Sequence, residues 1–248
     1  MTITFVQNSF AAEQNQNKNQ FNFESDYLGE DSDKARVDQK IYDPFESVNR
    51  KVFSFNESLD KNLFLPIARR YQKDIPRPVK RSIRNFFDNL STPFSVVNSL
   101  IQGDSQNSMA SFSSFLINTT IGVGGIFDIA DAKKIKYNKE DLGQSFAKYG
   151  VGTGPYLVFP FFGPSDARDF SGSAIEKLVD PLSINALKIG GDNLIANELT
   201  FSALVLSTVD NRESLINVVD DIRENSFDAY STIRSAYLQR RESLILNK

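Results

Sequence analysis

Apolar side chains recur every three or four residues over most of the chain after residue 40, which is the spacing of one face of an α-helix. The first series is Val48, Val52, Phe55 and Leu59. Two later series have the same spacing: Phe94, Val97, Leu100 and Ile101, and then Met109, Phe112, Phe115 and Leu116. No stretch of useful length alternates between apolar and polar residues, so the pattern predicts an all-α fold.

Short signals predict where these helices begin. An aspartate or threonine followed by a proline is typical of a helix N-terminus, because the side chain can cap and proline fits the first turn. An acidic or hydroxyl side chain followed three residues later by a glutamate is typical of a capping box. The predicted starts are Asp43-Pro44-Phe45-Glu46, Thr92-Pro93, Asp104, Asp210 with Glu213, and Ser226.

Two segments that mix glycines with large apolar residues interrupt the helical pattern. They are residues 121–130 (IGVGGIFDIA) and residues 149–169 (YGVGTGPYLVFPFFGPSDARD). Neither has the glycine spacing of a dinucleotide-binding loop, and the chain contains no GK[ST] element of a phosphate loop. We interpret these glycines as positions of tight backbone bends.

The first 40 residues differ in composition from the rest. Ser9-Phe10-Ala11 fits a small-x-small cleavage signal, but no Lys or Arg and only a short apolar stretch precede it. Residues 1–12 are therefore either a truncated signal-peptide remnant or a leader without function. Residues 13–40 are rich in Gln, Asn, Asp and Glu, which predicts a disordered linker. Residues 41–248 predict one helical domain.

Composition excludes several kinds of chemistry. The 248 residues include 0 Cys, 0 His and 0 Trp, so they provide no disulfide, no cysteine-based zinc site, no cysteine nucleophile and no Ser-His-Asp triad. The net charge of -3 argues against a nucleic-acid partner. No apolar run reaches the roughly 18 residues that a membrane span requires, although apolar helix faces can still lie in a membrane interface.

Two charged features leave alternatives open. Asp166 and Asp169, with Arg168 between them, fit either a solvated acidic first turn or, if their pKa values are raised, a catalytic carboxylate pair. Residues 61–84 carry eight Lys and Arg side chains and one acidic side chain, that of Asp74. This basic stripe fits either a solvated helix face or a surface for anionic lipid headgroups.

The number and placement of phenylalanines indicate a second kind of surface. The chain has 21 Phe, and residues 91–130 contain two charged side chains, Asp104 and Asp128. A stretch this long and this poor in charge is either fully buried or in contact with lipid.

Six blocks then follow one another in the order found in a known family. They are DPFESVNRKVFSFNESLD (43–60), LPIARRY (65–71), NFFDNLSTPFSVVNSLIQGD (85–104), FLINTTIGVGGIFDIA (115–130), EDLGQSFAKYGVGTGPYLVFPFFGPSDARD (140–169) and DAYSTIRSAYLQRR (228–241). On these blocks the chain resembles the MlaA (VacJ) family of outer-membrane lipoproteins of Gram-negative bacteria. The blocks cover most of the chain after Asp43.

The resemblance implies a compact, ring-like helical domain in the inner leaflet of the outer membrane, with a polar channel. It implies that mislocalised phospholipid is removed from the outer leaflet and passed to a periplasmic lipid-carrier protein, and that a trimeric porin is bound. No catalysis and no cofactor or metal are expected. Two other functions stay open: a structural adaptor bound to porins, and a lipid hydrolase that uses Asp166 and Asp169.

Matching the segments to this picture assigns candidate residues. The candidates for lipid or membrane contact are Phe94, Val97, Leu100, Ile101, Phe112, Phe115, Phe159, Phe161 and Phe162. The candidates for shaping the channel are Gly122, Gly124, Gly125, Gly150, Gly152 and Gly154.

One departure from the family concerns membrane attachment. Family members usually carry an acylated N-terminal Cys, and this sequence has 0 Cys. Three explanations stay open: a start upstream of Met1, attachment through the apolar faces of the domain, or a secretory signal without lipidation. The Ser9-Phe10-Ala11 site favours the last of these.

Overall fold

The computed structural model describes residues 43–179 and 194–247. The predicted leader and linker, residues 1–12 and 13–40, lie outside the described residues. In chain order the elements are α1 (Glu46–Leu59), a π-helical turn (Asp60–Phe64), α2 (Leu65–Asp74), α3 (Arg77–Ile101), α4 (Ser105–Thr120), α5 (Ile129–Ala132), α6 (Leu142–Lys148), β1 (Tyr156–Phe159), β2 (Gly163–Asp166), α7 (Ala167–Val179), α8 (Leu194–Ser214), α9 (Ile216–Asn225) and α10 (Ala229–Ile245).

The helices contact one another in a closed circuit. Helix α3 packs on α6, α6 on α10, α10 on α9, α9 on α8, and α8 returns to α3. Helix α4 packs along α3 outside this circuit, and α2 packs on α8 and α9. The predicted helical, ring-like fold is confirmed. Among the described residues, none of the helices combines the length and the apolar character that crossing a membrane requires.

A short hairpin is the part of the fold that the sequence pattern did not predict. Strands β1 and β2 pair antiparallel, with Tyr156 opposite Asp166 and Phe159 opposite Gly163. Each strand has four residues, which is too short for an alternating pattern to stand out from the glycine-rich sequence around it. Tyr156 and Val158 are buried against Tyr230 and Tyr237 of α10 in a small apolar core.

Two of the predicted helix starts lie inside longer helices. Thr92-Pro93 falls in the middle of α3, where the Thr92 hydroxyl donates to the carbonyl of Asp88 at 2.9 Å. Asp210 and Glu213 lie inside α8, so they form no capping box. Both predictions were wrong because the same side chains make contacts within or between helices that sequence spacing does not reveal.

The remaining starts were predicted with mixed success. Asp104 caps α4, since its carboxylate accepts from the backbone N–H of Asn107 at 2.9 Å. Asp43 caps nothing; it accepts instead from Arg234 of α10 at 2.7 Å. The last helix is capped by Asp228 rather than by Ser226.

One buried amide joins α1 to the hairpin. The side chain of Asn49 is 2 % exposed, and its Nδ2 donates to the carbonyl of Tyr156 at 3.0 Å. Its Oδ1 accepts from the backbone N–H of Val158 at 2.9 Å. The amide thus satisfies backbone groups of β1 on the side that faces α1, where no further strand of the described residues pairs with it.

Removing this amide is expected to destabilise the fold. Asn49→Ala leaves a buried carbonyl and a buried N–H without these partners, which should lower the free energy of unfolding by about 2–4 kcal/mol. Denaturant unfolding in detergent measures the loss. Asn62→Ala is the control, because Asn62 is exposed and bonds within its own turn, to Ser58. Equal losses for the two variants would contradict the assigned role of Asn49.

Candidate functional site

Helices α3 and α4 carry their apolar side chains on the outside of the protein. Leu100 is 60 % exposed, Met109 67 % and Phe112 46 %, and Val97, Ile101 and Leu116 are also exposed. Exposing such an apolar surface to water is unfavourable by about 25 cal/mol for each Å². The exposed faces of these two helices are therefore the first candidate for contact with lipid.

The buried side of the same two helices is polar. Asn107 of α4 donates to the hydroxyl of Ser99 at 2.7 Å, and Ser108 donates to the carbonyl of Val96 at 3.0 Å. Further buried polar side chains on these helices are Asn89, Thr92, Ser95, Asn98, Ser111, Ser114 and Asn118. This distribution is the reverse of the usual water-soluble protein, in which large apolar residues fill the interior.

The candidates for lipid contact fall into two groups by exposure. The exposed ones are Val97, Leu100, Ile101, Phe112 and Phe161. The half-buried ones are Phe94, Phe115, Phe159 and Phe162. The structure brings the members on α3 and α4 together on one apolar surface, whereas the three hairpin phenylalanines lie on a separate element.

A glycine-rich turn ends α4 and displays further apolar side chains. Asn118 holds it: its Nδ2 donates to Asp128 at 3.0 Å, and its Oδ1 accepts from the N–H of Ala130 at 2.9 Å. Gly125 has a φ of +91°, and a Cβ there would lie 2.4 Å from the side chain of Asn89. The turn exposes Ile121, Val123, Ile126 and Phe127.

The other candidate glycines differ in what surrounds them. Gly122 is buried, with a Cβ position 2.2 Å from the carbonyl oxygen of Phe127. Gly124, Gly150 and Gly154 also lie at positive φ, whereas Gly152 has neither that backbone conformation nor a close neighbour. Their role in shaping a channel stays a prediction.

The hairpin tip forms a second exposed aromatic surface. Asn56 of α1 donates to the carbonyl of Phe159 at 3.0 Å and accepts from the N–H of Phe161 at 2.9 Å. Phe161, at a φ of +64°, meets Phe55 edge to face, with the ring centroids 5.6 Å apart. Phe159 instead stacks on Phe170 of α7 at 3.8 Å. The tip is therefore held in place by α1 and α7.

Asp166 and Asp169 are buried inside an ionic network. Asp166 accepts from the N–H of Asp169 at 2.8 Å. Asp169 accepts from Arg168 at 2.9 Å, from the hydroxyl of Tyr237 at 2.9 Å and from Arg241. Arg241 also pairs with Asp141, at 2.7 Å. These contacts tie α6, α7 and α10 together, which gives the two carboxylates a structural role.

Burial and charge act together on the pKa values of this network. Burial, with the adjacent charge of Asp169, raises the pKa of Asp166. At Asp141, burial acts to raise the pKa, but the Arg241 guanidinium outweighs this effect and holds the pKa of that carboxyl below its usual range. The solvated acidic turn that the sequence suggested is thus contradicted, because both Asp166 and Asp169 are buried.

A half-buried acid joins α7 to α3 and α6. Glu176 Oε1 accepts from the amide of Asn98 at 2.8 Å and from the N–H of Leu142 at 2.9 Å. Ser145 donates to the Oδ1 of the same Asn98 at 3.0 Å. Burial, with the nearby charge of Asp141, raises the pKa of Glu176 to about 7.

Part of the basic stripe, namely Arg69, Lys80 and Arg84, pairs with acids of α8 and α9. Lys80 lies 2.6 Å from Glu213, and Arg84 lies 2.9 Å from Asp210 and 2.6 Å from Glu213. Arg69 pairs with an acid of α9 at 2.9 Å. The pairs of Lys80 and Arg84 hold α3 against α8, which gives these two residues a structural role. Contact with lipid headgroups stays a prediction for Arg69, whose side chain is 58 % exposed.

The site residues predicted from the sequence include none of the buried polar side chains of α3 and α4, although a signal for them exists. Asn107, Ser111, Ser114 and Asn118 are spaced by four, three and four residues, which is a helical period for polar side chains. The same stretch was predicted to be buried or in contact with lipid because it is long and poor in charge. The polar period, considered together with the apolar one, predicts that the polar face of α4 lies inside the protein. Glu176 and Arg241 had no local signal, because their partners are distant in sequence.

Comparison with known proteins gives concordant matches. The model of the MlaA lipoprotein family matches residues 41–244. A Rickettsia prowazekii protein of uncharacterized function is 36% identical over 206 residues, which cover 83% of this chain and 79% of that protein. The Escherichia coli "Intermembrane phospholipid transport system lipoprotein MlaA" is 30% identical over 204 residues, which cover 81% of this chain and 77% of that protein.

A solved structure also matches the fold. It is described by the words "Structural basis for maintenance of bacterial outer membrane lipid asymmetry". The TM-score is 0.70 at 31% sequence identity, and the match covers 82% of this chain and 98% of the solved chain.

The raised pKa of Glu176 predicts a pH-dependent stability. The folded protein holds this proton more tightly than the unfolded chain, so the free energy of unfolding should fall as pH rises from about 4.5 to about 7. Glu176→Gln keeps the acceptor oxygen without the charge. It should stabilise the fold by about 1–3 kcal/mol at pH 8 and by much less at pH 5.

Unfolding curves at the two pH values measure this difference. The same substitution at the exposed Glu242 controls for the general effect of removing a carboxylate. A Glu176→Gln effect of equal size at both pH values would contradict the assigned protonation.

Proposed function

Because the chain belongs to the MlaA lipoprotein family, we propose that it is a component of an intermembrane phospholipid transport system. It removes mislocalised phospholipid from the outer leaflet of the outer membrane and passes it to a periplasmic carrier, which maintains lipid asymmetry. The observation that carries this proposal is the reversed distribution of side chains in α3 and α4, apolar outside and polar inside.

The same distribution supports a location in the membrane. The apolar faces of α3 and α4 and the exposed turn of residues 121–127 would lie among acyl chains of the inner leaflet, facing the periplasm. Polar and charged side chains inside the body suit a passage for headgroups. The candidate glycines would shape that passage. Movement of lipid along it breaks no covalent bond, so the structural role of Asp166 and Asp169 agrees with a protein that is not an enzyme.

Two protein partners complete the proposal. A soluble periplasmic carrier accepts the lipid, and a trimeric porin holds the protein in the outer membrane. The exposed Phe55–Phe161 surface at the hairpin tip, held rigid by Asn56, favours contact with another apolar surface. A purely structural adaptor bound to porins is the alternative that this surface also supports.

Lipid analysis separates the transport function from the adaptor function. A strain that lacks the protein should accumulate surface phospholipid and become sensitive to detergent, and the purified protein should carry phospholipid. Porin binding without bound phospholipid, and without a change in surface phospholipid, would favour the adaptor.

A charge on the apolar face should weaken membrane binding. Phe112 is half exposed, so Phe112→Asp should leave the fold intact and place a carboxylate among acyl chains. Losing the burial of one phenylalanine side chain lowers partitioning into vesicles about tenfold. Flotation with vesicles of phosphatidylethanolamine and phosphatidylglycerol measures the effect.

The control variant adds the same charge elsewhere. Asn217 is an exposed polar residue of α9, and Asn217→Asp should leave flotation unchanged. Equal flotation of the wild type and a folded Phe112→Asp variant would count against lipid contact by α4.

A further inference from the structure

An apolar cavity of about 130 Å³ lies apart from the α3–α4 surface, between α1, the hairpin, α8, α9 and α10. Its wall is almost wholly apolar. The apolar residues that line it are Phe53, Val158, Pro164, Leu215, Val218, Val219, Ile222, Ile233 and Ala236. An apolar wall of this kind favours hydrocarbon over water as the occupant.

An ion-pair cluster forms one border of the cavity. Arg212, 2 % exposed, pairs with Asp60 at 2.6 Å. Arg223 pairs with Asp60 at 2.6 Å and with Glu57 at 2.7 Å. Because the charged groups of these four residues pair with one another, the residues contribute mainly carbon atoms to the wall.

The cluster continues to the protein surface and carries a positive charge. Lys61 lies 3.2 Å from Glu57, and Asp220 lies 2.9 Å from Arg69 and 3.7 Å from Arg223. The residues joined by these ion pairs are four cations (Lys61, Arg69, Arg212, Arg223) and three carboxylates (Glu57, Asp60, Asp220). An apolar cavity beside a cationic surface suits a molecule with a hydrocarbon chain and an anionic head.

We propose that this cavity holds the end of a phospholipid acyl chain while Lys61 and Arg69 contact the phosphate of the headgroup. The proposal rests on the proposed function, because phospholipid is the amphiphile that a transport component would meet. It adds a resting site for lipid on this chain that is separate from the lipid-facing surface of α3 and α4. Lipid held there would remain bound while the protein waits for a carrier.

A fluorescence experiment tests the proposal. The chain has 0 Trp, so Phe53→Trp places a single reporter in the cavity wall. The variant is reconstituted in vesicles of phosphatidylethanolamine and phosphatidylglycerol, with or without bromine on the acyl chains. Bromine should quench the reporter, and Ala236→Leu, which fills the cavity, should remove most of that quenching. Ala174→Leu, on an exposed part of α7, should leave it unchanged.

Two results would overturn the proposal. Quenching that persists in Ala236→Leu would place the quencher in the bilayer rather than in the cavity. No quenching in Phe53→Trp would also overturn it. A second variant, Leu116→Trp, tests the proposed membrane contact of α4 separately from the cavity site. Quenching of this reporter would support the membrane contact even if the cavity reporter is not quenched. No quenching of either reporter would contradict both the cavity site and the membrane contact.

A second measurement needs no reporter. Phospholipid extracted from the purified protein is counted by mass spectrometry in the Ala236→Leu and Ala174→Leu variants. We expect at least a twofold loss of bound phospholipid in the first and none in the second. Equal amounts in the two folded variants would overturn the proposal.

Discussion

The polar side chains buried in the described part of this protein need hydrogen-bond partners there, and the rest of the structure depends on that constraint. An unpaired polar group in a buried position costs about 1–3 kcal/mol, and a buried charge costs more. Asn98 shows how the constraint is met, since its amide binds Glu176 and Ser145 at once. Each such contact fixes one helix relative to another.

The same constraint explains why the outside of α3 and α4 is apolar. A helix whose polar face packs against the interior has its apolar face on the outside, and exposing that face to water is unfavourable. A lipid environment removes the disadvantage. The polar network and the exposed apolar surface are therefore two consequences of one sequence pattern, in which polar and apolar residues each repeat at helical spacing. This link connects the fold to the proposed membrane location.

The sequence predicts the kind of fold better than it predicts the contacts within it. Helical periodicity indicated α1, α3 and α4 because it is a local property of the chain. Asp210 and Glu213 have the spacing of a capping box, but they pair instead with Lys80 and Arg84. Nothing in the local sequence indicates these pairs, because the partners lie more than 100 residues away. The hairpin was missed because its strands are short and are held by Asn49 of a distant helix. Tertiary partners of this kind leave no local signature.

The central claim is that one face of α4 meets lipid and the opposite face meets protein. Because the chain has 0 Cys, single cysteines along α4 (Ser105–Thr120) can each carry a spin label. Collisions with oxygen report lipid, and collisions with a water-soluble nickel complex report water. The account predicts high oxygen and low nickel accessibility at Met109, Phe112 and Leu116, and low values for both at Ser111 and Ser114. Nickel accessibility at the first three positions equal to that of a water-exposed site would contradict it.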